Sequence, residues 1–484
     1  MSEVVTSAEP ARRAGSNSEN ISTVRNPWDG STVGTVALAT DPDAEKAIQK
    51  TLRGFEQTRI LPTYQRAEIL NSISATLRAQ KEDFARLITA EVGKPISLSR
   101  AEVDRAITTF RLAAEECSRI NGESMPLDIS PNAIGKFGVV RRFPLGVILC
   151  INPFNFPLNL AAHKVAPAIA AGNAFILKPA PQAPLTGLKL GEVIAQSGFP
   201  PEAFSILPCS NAVAEKLVTD DRIKMLSFTG SPSVGWMLKS KAGKKKVLLE
   251  LGGNAGAIVD RTADVNDAVK KNIVGSFVSA GQVCIKVQRI FVHESIFDEY
   301  TDELVRGVAQ VHVGDPSNPE TIVGPLIDDA AATRVKQWID DAVADGAKIL
   351  VGGKKSDRVI HPTVLTQVKK SASVYCKEIF GPVTTLHKFS TIEEAVANVN
   401  DSPFGLQAGI FSNDFKNILY AYQNLQVGGV VVNDNPTFRV DHMPYGGIKD
   451  SGFGREGVKY AIEEMTEPKL LVVETLFETL NSKP

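Results

Sequence analysis

Several features are missing from this 484-residue sequence, and each absence argues against a class of protein. The five cysteines are widely spaced and include no C-x-x-C pair. This argues against a zinc ribbon or a redox dithiol and favours a reducing compartment, the cytoplasm. The formal net charge is only -1, so we expect no basic surface for nucleic acid. No apolar run reaches the roughly 18 residues of a membrane span. We therefore predict no metal site and neither a nucleic-acid nor a membrane partner.

The N-terminal segment lacks the marks of a targeting signal. Residues 1–22 are rich in serine, alanine and glutamate and contain no apolar core, which predicts a disordered tail rather than a signal peptide. The rest of the chain has no internal repeat, and its length exceeds what one hydrophobic core normally serves. We therefore expect at least two lobes.

Hydrophobic patterning predicts a doubly wound α/β lobe in the first half of the chain. Apolar residues recur at three- and four-residue steps in four N-terminal segments, which predicts amphipathic helices. The continuous apolar run at 146–151 is typical of a strand buried on both faces of a parallel sheet, and strands then alternate with helices. The predicted helices are 43–53, 63–80, 81–92, 99–121, 160–171, 186–197, 212–218 and one from 233; the predicted strands are 146–151, 173–177, 204–207 and 224–228.

A second alternating series predicts another α/β lobe. It has strands at 255–259, 289–292, 348–350 and 429–432 and helices at 295–309 and 328–344. Cys284 belongs to this lobe. Two segments fit neither lobe: 125–142, and the tail 469–474 with its apolar run from Leu470 to Val473.

Cys284 ends the sequence Gly-Gln-Val-Cys, between an apparent helix and a strand. A lone cysteine is more often a small buried residue than a nucleophile. Here it is accompanied by Phe-Asn-Phe-Pro at 154–157, Lys-Pro at 178–179, Phe-Thr-Gly-Ser-Pro-Ser-Val-Gly at 228–235, Glu-Leu-Gly-Gly at 250–253 and Lys-Glu-Ile-Phe-Gly-Pro at 377–382. In this order, the set resembles the NAD(P)-dependent aldehyde dehydrogenase superfamily over most of the chain.

The resemblance implies a division into three parts. A dinucleotide-binding domain would comprise 23–124 and 143–251, and a catalytic domain would comprise 252–462. An oligomerisation element would comprise 125–142 and 463–484. In the family, the C-terminal strand joins the sheet of a partner subunit, so we expect a homodimer or homotetramer.

The cofactor site cannot rest on an ordinary dinucleotide fingerprint, because no G-x-G-x-x-G follows any predicted strand. Instead, the strand 224–228 runs into Gly230 and Ser231 before a helix, whose free N–H groups can bind a phosphate. A Gly-Ser turn is also a common structural cap. The resemblance implies that this loop, with Gly235, holds the pyrophosphate of NAD or NADP.

Further cofactor contacts follow from the resemblance at Phe154, Lys178, Glu378 and Phe380. Lys178 would bind the adenosine ribose, while Glu378 would bind the nicotinamide ribose. Where NAD-preferring members often carry a glutamate, this chain has Pro181. Because that change removes a charge that would repel a 2'-phosphate, the choice between NAD and NADP stays open.

The chemistry of aldehyde oxidation needs a nucleophile, an oxyanion donor and a base. A Cys284 thiolate would add to the carbonyl and give a thiohemiacetal that loses hydride to the nicotinamide. The resemblance assigns the oxyanion to the Asn155 amide and the Cys284 backbone N–H. It also makes Glu250 the base that hydrolyses the resulting thioester, although a glutamate at such a place can be a simple strand-end charge.

Polar residues around the expected pocket predict a short polar or anionic aldehyde. The resemblance places Arg105 at the pocket mouth, although helix-surface arginines are usually solvated. Asn159 and His163 stand where members that accept hydrophobic aldehydes carry large apolar residues. Phe438 and Arg439 would form the opposite wall. The pattern resembles members that act on lactaldehyde, phosphonoacetaldehyde, glyceraldehyde 3-phosphate and short semialdehydes.

Two alternatives remain at this point. A Cys-His hydrolase would also use a reactive cysteine, although the nearest histidine in the sequence, His293, lies beyond the following strand. A catalytically silent binding or structural protein could keep the same fold. The joint presence of Cys284, Glu250, Asn155 and Lys178 argues against the silent protein.

Overall fold

The computed structural model describes residues 20–474. Most of the predicted N-terminal tail and the last ten residues of the predicted oligomerisation element lie outside the described residues. Eight elements precede the first large sheet: β1 (Ile21–Arg25), β2 (Thr32–Ala37), α1 (Asp41–Thr58), α2 (Thr63–Ala79), α3 (Lys81–Val92), α4 (Ile96–Glu116), β3 (Glu123–Pro126) and β4 (Lys136–Pro144).

The N-terminal hairpin shortens the predicted tail. Strand β1 begins at Ile21 and pairs with β2, so the last two residues of the predicted tail, Ile21 and Ser22, belong to a strand. The reason is burial, because Val24 packs with Leu185 and Leu188. The four predicted amphipathic helices are present. Helix α4 starts at Ile96, three residues earlier than the apolar pattern indicates and directly after Pro95. Proline has no backbone N–H to donate within a helix, so it commonly stands at a helix start.

The first large sheet is mainly parallel and fully covered. Every residue of β5 (Val147–Ile151) is buried, as expected for an apolar strand with helices on both faces. Its first elements in chain order are β5 (Val147–Ile151), α5 (Asn159–Ala171), β6 (Ala174–Lys178), α6 (Pro184–Ala195), β7 (Phe204–Ile206), α7 (Asn211–Thr219), β8 (Ile223–Thr229), α8 (Pro232–Lys241) and β9 (Lys246–Glu250). Strands β5 to β9 pair in the order β9-β8-β5-β6-β7.

The second large sheet has seven strands in the order β12-β15-β16-β11-β10-β18-β19. All neighbours are parallel except β12, which runs antiparallel to β15. Its region contains β10 (Ala255–Val259), α9 (Val265–Phe277), β11 (Val287–His293), α10 (Phe297–Val308), α11 (Asp329–Ala344), β12 (Lys348–Val351), β13 (Lys355–Ser356), β14 (Val359–Ile360), β15 (Thr363–Thr366), α12 (Ser373–Cys376), β16 (Val383–Phe389), α13 (Ile392–Asn400), β17 (Phe404–Gly405), β18 (Gln407–Phe411), α14 (Phe415–Asn424) and β19 (Gly429–Val432).

The C-terminal elements are β20 (Ile448–Lys449), β21 (Gly452–Phe453), α15 (Val458–Glu464) and β22 (Thr466–Glu474). Strand β20 pairs with β17 of the second region, whereas β21 and α15 return to the first lobe. Strand β21 adds antiparallel to β9, while Val458 and Ile462 of α15 pack in the hydrophobic core of the first lobe. Packing therefore groups β21 and α15 with the first sheet, and the domain boundaries themselves stay a prediction.

The segments that fit neither predicted lobe form a separate sheet, in the order β22-β4-β3. Strand β22 pairs with β4 over nine residues. Three of its apolar side chains, Leu470, Leu471 and Val472, are exposed. The fold is thus two α/β lobes with a small β element, as the sequence predicts. Within residues 20–474, no helix is long and apolar enough to cross a membrane.

Candidate active site

The loop that carries Cys284 has an unusual backbone. Ser279, Ala280 and Gly281 all have positive φ angles, of 55°, 52° and 68°. A side chain on Gly281 would lie 2.2 Å from the carbonyl oxygen of Gly381, so only glycine fits. These residues connect α9 to the turn before β11. Cys284 is thereby held half-buried between the two lobes.

The Cys284 thiol has one hydrogen-bond partner among the described residues, the Tyr445 hydroxyl, with 3.1 Å between Sγ and Oη. Burial raises the pKa of this thiol to about 11, while the Tyr445 hydrogen bond and the Arg439 charge act in the opposite direction. Within residues 20–474, no histidine forms a hydrogen bond with Cys284, and the His293 ring is hydrogen-bonded to the Ser295 hydroxyl. The Cys-His hydrolase alternative therefore has no structural support.

Asn155 lies beside the same loop. It follows β5, is buried, and its Nδ2 donates to the carbonyl oxygen of Gln282, two residues before Cys284, at 3.0 Å. Its Oδ1 has no hydrogen-bond partner in the described part of the chain. The structure therefore brings the predicted oxyanion donor and the predicted nucleophile together.

Glu250 ends β9 and is also buried. Neither carboxylate oxygen has a hydrogen-bond partner in residues 20–474. Burial and the nearby Glu456 carboxylate raise the pKa of Glu250 well above its ordinary value. A Cβ atom at Gly446 would lie 2.8 Å from Glu250 Oε1. Since Gly446 follows Tyr445, this close approach puts Glu250 on the same side of the site as the Tyr445–Cys284 contact.

Three fully or nearly fully buried charges form what we call the inner cluster: Lys164, Arg439 and Glu456. Lys164 Nζ lies 2.9 Å from one Glu456 oxygen, and Arg439 Nη2 lies 3.1 Å from the other. The guanidinium of Arg439 stacks on the Tyr445 ring, with 3.7 Å from Cζ to the ring centroid. Two cations thus share one carboxylate beside the cysteine.

Four residues form what we call the outer cluster: Arg105, Asn159, His163 and Asp441. Asp441 Oδ1 accepts from Arg105 Nη2 at 2.7 Å, from Asn159 Nδ2 at 3.2 Å and from His163 Nε2 at 2.8 Å. Burial alone would raise the pKa of Asp441. The hydrogen bond from His163 and the charge of Arg105 outweigh it and hold that pKa well below its ordinary range.

The predicted substrate-binding residues are therefore placed unequally. Asn159 and His163 are completely buried, and each directs a polar nitrogen to Asp441. Burial lowers the pKa of His163, so its ring is neutral near pH 7. Arg105 keeps 28% of its side-chain surface exposed. Phe438 is exposed, whereas Arg439 is part of the inner cluster.

Several predicted cofactor residues lie at one edge of the first sheet, where its parallel strands end. Lys178 ends β6, and its ammonium makes no hydrogen bond or ion pair within residues 20–474. Burial lowers the pKa of Lys178. Pro181 lines a cavity of about 170 Å³ that also borders Cys209 and Ser210. Ser231 is the residue before α8, and it makes no side-chain cap to that helix.

The geometry of these groups fits a dinucleotide. The uncapped N-terminus of α8 can donate to a pyrophosphate, and Gly235 lets this helix approach Leu251, since a Cβ there would lie 2.3 Å from Leu251 Cδ2. Across the cleft, Glu378 Oε1 accepts from the Gly253 N–H at 3.0 Å. Phe380 meets Phe154 edge to face, with 6.0 Å between ring centroids.

Comparison with known proteins decides the family. The sequence model of the "Aldehyde dehydrogenase family" matches residues 14–471. The chain belongs to the aldehyde dehydrogenase family. The 3-sulfolactaldehyde dehydrogenase of Priestia aryabhattai is 42% identical over 439 residues, which cover 90% of this chain and 92% of that protein.

Solved structures of aldehyde dehydrogenases match equally well. Aldehyde dehydrogenase 21 of Physcomitrella patens, solved with the reaction product succinate, is 42% identical with a TM-score of 0.94, covering 98% of this chain and 99% of that one. Glyceraldehyde-3-phosphate dehydrogenase GapN of Methanocaldococcus jannaschii, solved with NADP, is 38% identical with a TM-score of 0.90, covering 94% and 99%. The predicted family, fold, enzyme class and use of NAD or NADP are confirmed.

Four residues of this aldehyde dehydrogenase site escaped the sequence reasoning: Lys164, Asp441, Tyr445 and Glu456. One signal was available, because Lys164 is a lysine inside the otherwise alanine-rich α5, where only a buried partner can hold a charge. Asp441 and Tyr445 lie close in sequence to Arg439, which the sequence analysis assigns to the pocket wall, but the sequence gives no sign of what their side chains touch. Glu456 had no local signal.

Proposed function

We propose that this aldehyde dehydrogenase oxidises a short anionic aldehyde to the carboxylic acid, with Cys284 as nucleophile, Asn155 as oxyanion donor and Glu250 as base. The convergence of three separate segments on one sulfur carries this proposal. The loop after β5 brings Asn155 to the Cys284 loop, and the end of β9 brings Glu250 next to the segment that contacts Sγ.

The reaction begins when the Cys284 thiolate forms a bond to the carbonyl carbon and the π electrons move to oxygen. Asn155 and the Cys284 N–H donate to that oxyanion, each such donor contributing about 2.7 to 4 kcal/mol. The nicotinamide, when bound, supplies the hydride acceptor. Loss of hydride from the carbon restores the C=O bond and leaves a thioester. Glu250 then takes a proton from water, whose oxygen adds to the thioester carbon, and the S–C pair returns to Cys284.

The cofactor residues in this proposal are those that surround the cleft. Gly230, Ser231 and Gly235 would hold the pyrophosphate at α8, and Lys178 would meet the adenosine ribose. Glu378, Phe380 and Phe154 would flank the nicotinamide end. Pro181 leaves no carboxylate beside Lys178 to repel a 2'-phosphate, which supports acceptance of NADP as well as NAD.

Electrostatics support an anionic substrate. Lys164 and Arg439 share one carboxylate, that of Glu456, so the inner cluster carries one net positive charge. That positive charge attracts an anion. Relatives in the comparison act on sulfolactaldehyde, carry succinate as product, or are named for glyceraldehyde 3-phosphate; each of these compounds carries a sulfonate, a carboxylate or a phosphate.

Arg105 and Arg439 are the two guanidinium groups that would recognise this anion. Asp441 occupies Nε and Nη2 of Arg105 and fixes its orientation, which leaves Nη1 for a ligand. Arg439 Nε is buried and has no partner in residues 20–474. Asn159 and His163 act indirectly, because they hold Asp441 rather than face the pocket, while exposed Phe438 forms the rim.

The experiment compares one anionic aldehyde, such as succinic semialdehyde, with neutral propanal. Arg105→Ala should lower kcat/KM for the anionic aldehyde by about 1.5 to 3 kcal/mol, the range for a hydrogen bond to a charged group, and change that for propanal little. Arg100→Ala, on the same helix but paired with Glu82, is the matched control and should change neither. Equal losses for both aldehydes in Arg105→Ala would contradict anion recognition.

Assembly is the remaining part of the proposal. The outer edge of β22 has no strand partner in the described residues, and exposed Leu470, Leu471 and Val472 make it an aggregation hazard unless another subunit covers it. We propose a homodimer or homotetramer in the cytoplasm, where the five free cysteines stay reduced. Light scattering that gives a monomer mass near 52 kDa would contradict the oligomer.

A further inference from the structure

The tyrosine that contacts the nucleophile is held rigidly. Tyr445 is 3% exposed. Its backbone N–H donates to the Glu456 carbonyl at 3.0 Å, and its carbonyl accepts from the Glu456 N–H at 2.6 Å. This backbone bridge fixes the base of the side chain, so the hydroxyl is presented to Cys284 Sγ at 3.1 Å rather than reaching it by chance.

The face of the same ring carries a cation. The Arg439 guanidinium lies 3.7 Å from the ring centroid and is anchored by Glu456, which Lys164 also binds. A cation over the face of an aromatic ring is attracted by its π electrons and withdraws electron density from it. A phenol whose ring is depleted in this way is a better hydrogen-bond donor.

The charged groups that face Cys284 come from several segments, and they oppose one another. Glu250 at the end of β9 and Glu378 after α12 disfavour a negative sulfur, whereas Arg439 favours it. Burial disfavours it most. Among the described residues, Tyr445 is the one side chain that hydrogen-bonds the sulfur directly.

We infer that the Tyr445 hydroxyl is a catalytic residue that donates a hydrogen bond to the Cys284 thiolate and so prepares the nucleophile for attack. The inference rests on the proposed role of Cys284. A thiolate has no proton to donate, so the hydroxyl must be the donor once the thiol has lost its proton to solvent. Burial raises the pKa of Tyr445 well above its ordinary value, and the phenol therefore keeps its proton. No bond to the hydroxyl breaks.

The test is the pH dependence of iodoacetamide alkylation at Cys284 in the full-length enzyme without aldehyde. Tyr445→Phe keeps the ring and its contact with Arg439 but removes the hydroxyl. The midpoint of the profile should rise by about 1 to 2 pH units, the shift that corresponds to a charged hydrogen bond. Alkylation well below the midpoint should slow about ten- to hundredfold. The plateau at high pH should stay unchanged.

Two further variants make the result specific. Tyr300→Phe removes another buried hydroxyl of the second lobe, which is bonded to Asn272, and its profile should coincide with that of the wild type. Replacement of Tyr445 by 3,5-difluorotyrosine is nearly isosteric and gives a stronger donor, so its midpoint should fall. A residue with a merely structural role would not shift the midpoint in opposite directions.

The outcomes separate the inference from the proposed function. If Tyr445→Phe leaves the midpoint unchanged or lowers it, the hydroxyl accepts from the thiol instead, and the inference is wrong. Equal shifts of the alkylation midpoint in Tyr445→Phe and Tyr300→Phe would also overturn it, since a general loss of packing in the second lobe would then explain both shifts. Mass spectrometry locates the label. Full dehydrogenase activity with Cys284 alkylated would overturn the proposed function itself, whatever the profiles show.

Discussion

The inner and outer clusters are built alike, with positively charged or hydrogen-donating side chains around one buried carboxylate. They differ in how many of the buried polar atoms in and around them have hydrogen-bond partners. In the outer cluster, His163 Nδ1 is the one buried polar atom without a partner in residues 20–474. Around the inner cluster, both oxygens of Glu250, Nε of Arg439 and Oδ1 of Asn155 lack partners. A buried unpaired polar atom costs about 1 to 3 kcal/mol. The comparison indicates that Asn159, His163 and Asp441 are a scaffold that orients Arg105, and that the inner region is left incomplete for a ligand.

The strongest test of this contrast is to remove the sulfur beside the inner cluster. Cys284→Ala should lower kcat by about 10⁴-fold or more, the order seen when a covalent nucleophile is lost. Binding of NADP, measured by fluorescence quenching, should be unchanged because the residues proposed to hold the dinucleotide lie in other segments. Turnover close to the wild-type rate would contradict covalent catalysis.

A smaller but still large effect is expected at Glu250. Glu250→Gln should slow steady-state turnover by about 10² to 10⁴-fold and leave a stoichiometric burst of reduced cofactor, because the base acts after hydride transfer. The base works only when ionised, so the raised pKa of Glu250 makes wild-type hydrolysis increase as pH rises through it. That increase should disappear in the variant. Stopped-flow absorbance at 340 nm measures both phases.

Glu91→Gln is the matched control for Glu250→Gln. Burial raises the pKa of Glu91 to about 7, but its oxygens accept from Leu185 and Thr186 at the start of α6. This variant should lose stability and keep both kinetic phases. A missing burst in Glu250→Gln, with a normal burst in Glu91→Gln, would instead assign Glu250 to thiol activation.

The smallest effect on activity is expected in the outer cluster. Asp441→Asn keeps the shape but removes the charge that Arg105 and His163 share, and should destabilise the fold by about 1 to 3 kcal/mol with less than about tenfold loss in kcat. Because the pKa of Asp441 is depressed in the folded state, its stabilisation is present above the unfolded pKa, about 3.9, and is lost as pH falls below it. Urea unfolding at pH 7 and pH 3 should show the difference between variant and wild type shrinking at pH 3.

Much of the fold could be predicted because the pattern is strong. Helix α3 has the predicted bounds 81–92, and β5 was recognisable from five consecutive apolar residues. The return of β21 and α15 to the first lobe could not be predicted, because two-residue strands carry no periodicity and pairing across about 200 residues leaves no local mark.

The site divides in the same way. Cys284, Asn155 and Glu250 stand in motifs, and the structure brings them together. The partners of Arg105 and His163 could not be predicted, since Asp441 is about 340 and 280 residues away in sequence and a carboxylate in a loop reads as a solvated charge. Only the three-dimensional packing shows whether Arg105 faces a substrate or is neutralised by a carboxylate of the same chain.

The pairing of β21 with β9 also determines when, during synthesis of the chain, the edge of β9 can be covered. Glu250 is opposite Gly452 in that pairing. The ribosome must therefore add 202 further residues (452 minus 250) after Glu250 before the edge of β9 can be covered. At about 5 to 20 residues per second, the interval is roughly 10 to 40 s. During that time one edge of the apolar strand β9 is unpaired in the nascent chain, and an unpaired strand edge promotes aggregation. Glu250 therefore cannot reach its final surroundings until synthesis is nearly complete.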